Sequence, residues 1–142
     1  MKIQQISLFV ENKPGHIAAP ARLLARECID IRSLYLADTQ QYGIVRMIVS
    51  DWQRAVEVLE AHGFVVKVTE VLAVEVPDRP GGLADVLDAL DGTGINIEYM
   101  YAFPYQQGEE AILIFRFGDP DGAIARFQAA GINVLAGEQL LK

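Results

Sequence analysis

The 142 residues include 12 Lys+Arg against 19 Asp+Glu, a net charge of −7, with 51% hydrophobic and 22% charged residues. That length suits one domain or two very small ones with a real core, and the acidic balance is the wrong sign for nucleic-acid phosphates or an anionic membrane surface, so neither partner is expected. No run approaches the ~20 apolar residues of a membrane span and no basic stretch followed by an apolar one opens the chain, so a cytoplasmic protein is expected, while a single cysteine, Cys28, and only two histidines, His16 and His62, exclude an intrachain disulfide and leave no metal or other cofactor expected.

Residues 6–10, Ile6-Ser7-Leu8-Phe9-Val10, have the alternation of a strand and stop at Asn12-Lys13-Pro14-Gly15. Ile17, Ala21, Leu24 and Cys28 then recur at helical spacing and predict a buried stripe, with Cys28 a small hydrophobe at its end. Pro20 falls inside that pattern, so the helix either starts late or has a distorted first turn. Strands are predicted over 29–37 and 44–49, joined by a hairpin-like turn through Asp38-Thr39-Gln40-Gln41-Tyr42-Gly43. Asp51 caps a second predicted helix that turns Ala55, Val58 and Leu59 inward, Gly63 ends it, and 64–68 form a closing strand.

The same order then begins again. Residues 67–72 contain no Pro, Gly or Ser, so no flexible linker is predicted, and the two halves are expected to pack as one rigid body. A shift of 66 residues lays Pro14-Gly15 on Pro80-Gly81, Ile29 and Ile31 on Ile95 and Ile97, and Tyr35 on Tyr101. A two-residue insertion near Gly108-Glu109 changes the offset to 68, and Asp51, Ala55 and Gly63 then meet Asp119, Ala123 and Gly131. Sixteen identities fall in 59 aligned positions, against roughly four expected from average composition. Asp119-Pro120 reads as an N-cap followed by proline at the first helical position, with Ile124 and Phe127 inward. The chain is therefore read as α+β: two ferredoxin-like βαββαβ units, residues 1–69 and 70–142, side by side, with antiparallel sheets and helices on one face.

A βαββαβ unit with an Asp/Asn-Arg/Lys-Pro-Gly loop after its first strand resembles the ACT domain. The second copy carries the fuller signature, Asp78-Arg79-Pro80-Gly81-Gly82-Leu83, then Leu87, Leu90 and Gly94-Ile95-Asn96-Ile97. The first is looser: Asn12-Lys13-Pro14-Gly15-His16-Ile17 and Cys28-Ile29-Asp30-Ile31, where Cys28 replaces the usual glycine and Asp30 the asparagine. The resemblance covers nearly the whole chain and looks like a free-standing tandem ACT protein. It implies a non-catalytic regulator that binds a small amino acid-type ligand at the interface between ACT units and modulates an enzyme of amino-acid metabolism. Carried over by position, the implied ligand-binding residues are Asn12, Gly15, His16 and Asp30 in the first copy and Asp78, Gly81, Gly82, Leu83 and Asn96 in the second. The closer match points to the second copy as the main site.

The chemistry is consistent with that implication. A helix N-terminus suits a ligand carboxylate, Gly81-Gly82 would let a ligand approach the backbone, and Asp78 with Asn96 could accept an ammonium's hydrogen bonds. Tyr99, Tyr101 and Phe103 share one strand face and admit either an aromatic guest or plain packing. Asn12 and Asp78 have a second reading as turn formers that bond their own backbone, and Asp30 and Asn96 as strand openers. Arg46 and Arg116 are expected to pair with carboxylates across the sheet. Leu34, Leu36 and Met100 are expected on the strand face away from Ile31 and Ile97, which points to a homodimer that covers them. Proton transfer by Asp78 and Asn96 has no other support in the chain, so no enzyme activity is expected. The alternative from another class is a ligand-free structural or regulatory subunit that docks a partner enzyme.

Overall fold

The structure, a computed structural model, describes residues 1–38 and 41–141. It divides into two compact units, Gln4–Thr69 and Met1–Ile3 with Glu70–Lys142. The first contains β1 (Ile3–Glu11) from Gln4 onward, α1 (Ala18–Arg26), β2 (Ile31–Asp38), β3 (Tyr42–Val49) and α2 (Trp52–Ala61), and it ends in β4 (Val65–Pro77). The second takes over β4 from Glu70 onward. It continues through α3 (Gly82–Asp88), β5 (Ile97–Gln107), β6 (Glu110–Phe117), α4 (Pro120–Ala129), β7 (Val134–Leu135) and α5 (Gly137–Leu140). Thr39 and Gln40 of the expected hairpin turn lie outside the described residues.

In the first unit the strand order is β2-β3-β1-β4, and β1 and β2 both run antiparallel to β3. Ile6, Leu8 and Val10 of β1 and Val45, Met47 and Val49 of β3 make one apolar face. Leu23 and Leu24 of α1 and Ala55 and Leu59 of α2 cover it. In the second unit β6 lies between β5 and β4, and the short β7 pairs with the other edge of β4. Leu72, Val74, Val76, Phe115 and Phe117 pack there against Val86 and Leu90 of the α3 region and Ala123 and Phe127 of α4. Thus α1 and α2 lie on one face of the first unit, and α3 and α4 on one face of the second. The other face is not polar and wet as simple alternation predicts: Gln5, Ser7 and Ser33 are buried, and so are Ala73, Ile112 and Ile114.

Local signals act where the sequence places them. Asp51 and Asp119 accept the backbone N–H groups of Arg54 and Gly122 at 3.1 and 3.0 Å, satisfying donors that a helix start leaves open. Pro20 is the third residue of α1, inside the first turn, where its missing N–H forfeits no helical bond. Gly63 and Gly131 adopt φ of 86° and 74° just past α2 and α4, and the next residue, Phe64 or Ile132, donates its N–H back to Leu59 or Phe127. His62 places Nδ1 2.9 Å from the Val58 carbonyl at the same helix end. At the N-terminus Lys2 forms an ion pair with Asp121 at 2.9 Å, and the hydrogen bond and charge of Asp121 hold the Lys2 ammonium above its ordinary pKa.

Two expectations are corrected. Cys28 is not a buried end of the α1 stripe, which consists of Pro20, Leu23 and Leu24; it is exposed, beyond the helix, with φ of 58°. Its N–H donates to the Ala25 carbonyl and that of Ile29 to Leu24, so Cys28 holds the left-handed position that closes a helix and favours glycine. The second correction concerns the strand faces. β2 carries one extra residue between Ile31 and Ser33, and β5 one between Ile97 and Tyr99. Each bulge flips the alternation, so Leu34 and Leu36 pair with Met47 and Val45 on the same face as Ile31. Met100 likewise pairs with Phe115 and packs against the core beside Ile97. Leu34 and Leu36 stay 47% and 44% exposed because β2 is the outer strand of its unit.

Candidate functional site

The Pro-Gly loops are the same turn built twice. Pro14 and Pro80 fix φ at the second position of a four-residue turn, and Gly15 and Gly81 supply φ of 83° and 84° at the third. That is a type II turn, which needs glycine there. It closes through His16 N–H to the Lys13 carbonyl at 3.2 Å and Gly82 N–H to the Arg79 carbonyl at 3.0 Å. Asn12 and Asp78 tie each loop to the neighbouring hairpin through their own backbone N–H groups, which donate to Gln41 and Glu109 at 2.9 and 3.2 Å.

One residue later the loops diverge. Gly82 is buried, and a Cβ there would lie 2.0 Å from the Pro77 carbonyl oxygen. The missing side chain, expected to admit a ligand to the backbone, admits the chain's own carbonyl instead. Arg79 closes over the same loop through an ion pair with Asp85 at 2.8 Å. The first loop carries His16 at the equivalent position, half-buried.

Beside each loop is a cleft at the same place in the repeat. In the first unit Gly15 and His16 line a cavity of about 290 Å³ with Phe9, Val10, Ala19 and Phe64. Glu11 and Lys13 also line it, 3.6 Å apart and both exposed. In the second unit a cavity of about 530 Å³ is lined by Glu75, Pro77, Asp85 and Ile132, the repeat equivalents of Phe9, Glu11, Ala19 and Phe64, together with Asp88 and Glu110. One ancestral position thus holds an aromatic-floored cleft in one unit and an acidic one in the other. Asp78 lies in a separate hollow of about 480 Å³ with Arg79, Glu109 and Glu110.

The structure does not bring all the expected ligand residues together. Asp30 and Asn96 sit at the far end of the sheet from the loops, where their carbonyls accept the N–H groups of Ser50 and Gly118 at 2.9 and 3.1 Å. The eight-residue strands β3 and β6 separate them from Asn12 and Asp78, roughly 27 Å at ~3.4 Å per residue. Within one unit Asp78 and Asn96 therefore cannot share an ammonium, nor act as a proton-transfer pair. Asp30 is paired with Arg32 at 3.4 Å, and Asn96 lines a hollow of about 390 Å³ at the end of α3. Leu83 is 37% exposed on α3.

Tyr99, Tyr101 and Phe103 do share a face, pairing with Arg116, Ile114 and Ile112. Tyr101 and Phe103 are buried, so their contribution is packing. Arg46 donates to the Tyr35 hydroxyl at 2.7 Å, while Arg116 donates to the Glu70 carbonyl at 3.1 Å and lies 3.9 Å from Glu98. Among the described residues no group of three or more His, Cys, Asp or Glu is arranged to hold a metal, and no helix is long and apolar enough to cross a membrane. Sequence reasoning missed Phe9, Ala19 and Phe64 as a group; the repeat alignment sets them against Glu75, Asp85 and Ile132, which is the signal that finds them.

The ACT domain pair model matches residues 1–142. The chain belongs to the ACT domain pair family. Protein BT0572 of Bacteroides thetaiotaomicron is 34% identical, with 100% of this chain and 97% of that one covered and a TM-score of 0.92. The regulatory subunits of aspartate kinase from Thermus thermophilus (ligand free form) and Thermus flavus are each 22% identical. Coverage is 90% of both chains in each case, with TM-scores of 0.65 and 0.62, a likeness of fold. No curated protein matches the chain. ACT domain pairs are a regulatory, ligand-binding fold.

Proposed function

We propose that this ACT pair is a non-catalytic regulatory protein that binds a small amino acid-type ligand at its Pro-Gly loops and so modulates an enzyme of amino-acid metabolism. The observation that carries the reading is the duplicated type II turn, with Gly15 and Gly81 at φ 83° and 84°, beside a cleft in each unit. A turn held by proline and glycine presents backbone without mobile side chains, so little ordering entropy is lost when a ligand binds. Asn12, Gly15 and His16 lie on the first loop; Asp78, Gly81, Gly82 and Leu83 lie on or directly after the second. In the second unit the closed contact of Gly82 with Pro77 favours the alternative, a loop that has kept its structural task alone. A homodimer belongs to the same proposal, with the exposed Leu34 and Leu36 on outer strand β2 as the apolar surface it covers.

A thermal-shift panel of the common amino acids tests the reading, using protein stripped of carried-over ligand. At about 100 times its dissociation constant a ligand adds roughly 2.7 kcal/mol, several degrees for a chain of this size. One amino acid that raises the melt, with sedimentation showing a dimer, is the expected result. A flat panel refutes amino-acid sensing and favours the ligand-free subunit that docks an enzyme; a monomer at all concentrations refutes the dimer.

A further inference from the structure

The two clefts occupy one position of the repeat, so their differences in lining are differences in what they accept. At the first, Phe9 is 43% exposed, Phe64 is half-buried against the core, and Val10 and Ala19 complete an apolar floor. Polar groups stand beside that floor: Lys13 and Glu11, 3.6 Å apart and both exposed, are one cation and one anion free to move. At the second, Phe9 is replaced by Glu75 and Ala19 by Asp85, and Asp88 and Glu110 add two further carboxylates.

We infer that the first-unit cleft is the selective one and takes an amino acid with a branched aliphatic or aromatic side chain, while the second-unit cleft excludes that molecule. The inference rests on the proposed amino-acid sensing and reverses the order of importance that motif similarity gave the two copies. Its volume of about 290 Å³ sits at the lower edge of small-molecule sites, ~300–1,000 Å³, and so suits an amino acid rather than a nucleotide. Lys13 meets the ligand carboxylate and Glu11 its ammonium, exchanging one exposed ion pair for two. The side chain lies on Phe9, Phe64 and Ala19, and burial of an apolar side chain of this size contributes roughly ten- to a hundredfold in affinity. The second cleft keeps Val86, Ala89 and Ile132 as apolar lining and Arg79 pairs with its Asp85, but Glu75, Asp88 and Glu110 set the same ligand's carboxylate among like charges, and Glu75 stands where Phe9 would meet its side chain.

The experiment is isothermal titration of the full-length protein with each of the common amino acids, repeated on Phe9→Glu, Ala19→Asp and Glu75→Gln. The first two substitutions move second-unit residues into the first cleft at exposed positions, and the melting temperature of each ligand-free variant checks folding. Binding of leucine, isoleucine, valine or phenylalanine is expected, at least about tenfold weaker in Phe9→Glu and in Ala19→Asp and unchanged in Glu75→Gln. A charged or small polar amino acid that binds equally well to Phe9→Glu overturns the apolar selection and leaves amino-acid sensing standing. An affinity that responds to Glu75→Gln instead overturns the choice of unit. If no amino acid binds the wild-type protein, both readings fail.

Discussion

Replacing Cys28 with glycine is expected to stabilise the protein. Cys28 follows the C-terminus of α1 with φ of 58°, a conformation that costs a residue bearing a Cβ roughly 1–2 kcal/mol. Its surroundings do not repay that cost, because Cys28 is exposed and its side chain is free of any disulfide. The motif itself is sound: the N–H groups of Cys28 and Ile29 return to Ala25 and Leu24 at 3.0 and 2.9 Å, and Ile29 and Leu24 are both buried. Glycine at the same place offsets part of the gain by making the unfolded chain more flexible, about 0.5–1 kcal/mol. The net expectation is about 0.5–1 kcal/mol, a rise of roughly 2–4 °C in Tm. Urea unfolding should show a higher midpoint at unchanged slope. Gly63→Ala and Gly131→Ala are the mirror experiment, since both glycines have positive φ and a Cβ at either meets nothing within 4 Å; each should lose about 1 kcal/mol. A Cys28→Gly midpoint at or below wild type refutes the reasoning, and so does a neutral Gly63→Ala.

The remaining predictions concern the second loop and the N-terminus. Gly82→Ala should cost at least about 2 kcal/mol, since its Cβ would meet the Pro77 carbonyl at 2.0 Å, whereas His16→Ala at the equivalent position should leave the urea midpoint within about 0.5 kcal/mol; equal effects would show that the two loops are not packed differently. The raised pKa of Lys2 means that its pairing with Asp121 contributes fully below the ordinary value of 10.5 and is lost only as pH rises through the higher folded value. The Tm difference between wild type and Lys2→Met should therefore stay constant from about pH 6 to 9 and shrink above about 10.5; a difference that changes between 6 and 9 would refute the assignment.

Much of the fold was legible because its signals are short-range. The duplication, the Pro-Gly turns, the Asp51 and Asp119 caps and the helix-ending glycines Gly63 and Gly131 each depend on residues a few positions apart. Proline and glycine restrict φ wherever they stand, and an aspartate reaches the N–H three residues on without help from the rest of the chain. The second helix of each unit was readable for the same reason, through Ala55 and Leu59 and through Phe127.

The site was less legible. Matching a family motif groups Asn96 with Asp78 as acceptors for one ammonium, but within one unit the strand pairing puts them at opposite ends of the sheet. A list of positions contains no strand length, and pairing alone supplies it. The same holds for Gly82: its missing side chain reads as room for a ligand, but the Pro77 carbonyl occupies that room.

By itself, then, the sequence determined that this protein is a doubled βαββαβ unit with two matching Pro-Gly turns, an acidic balance of charge and an aspartate-capped second helix in each copy. Tertiary structure decided which faces the strands present and what lines each cleft. A single extra residue in β2 and in β5 reverses the alternation and sends Leu34, Leu36 and Met100 to the face that parity denied them, because the side-chain period of a strand is two and a one-residue bulge inverts everything after it. Phe9, Ala19 and Phe64 lie far apart in the chain and share a cleft only because a strand end, a helix start and the exit of a second helix converge there.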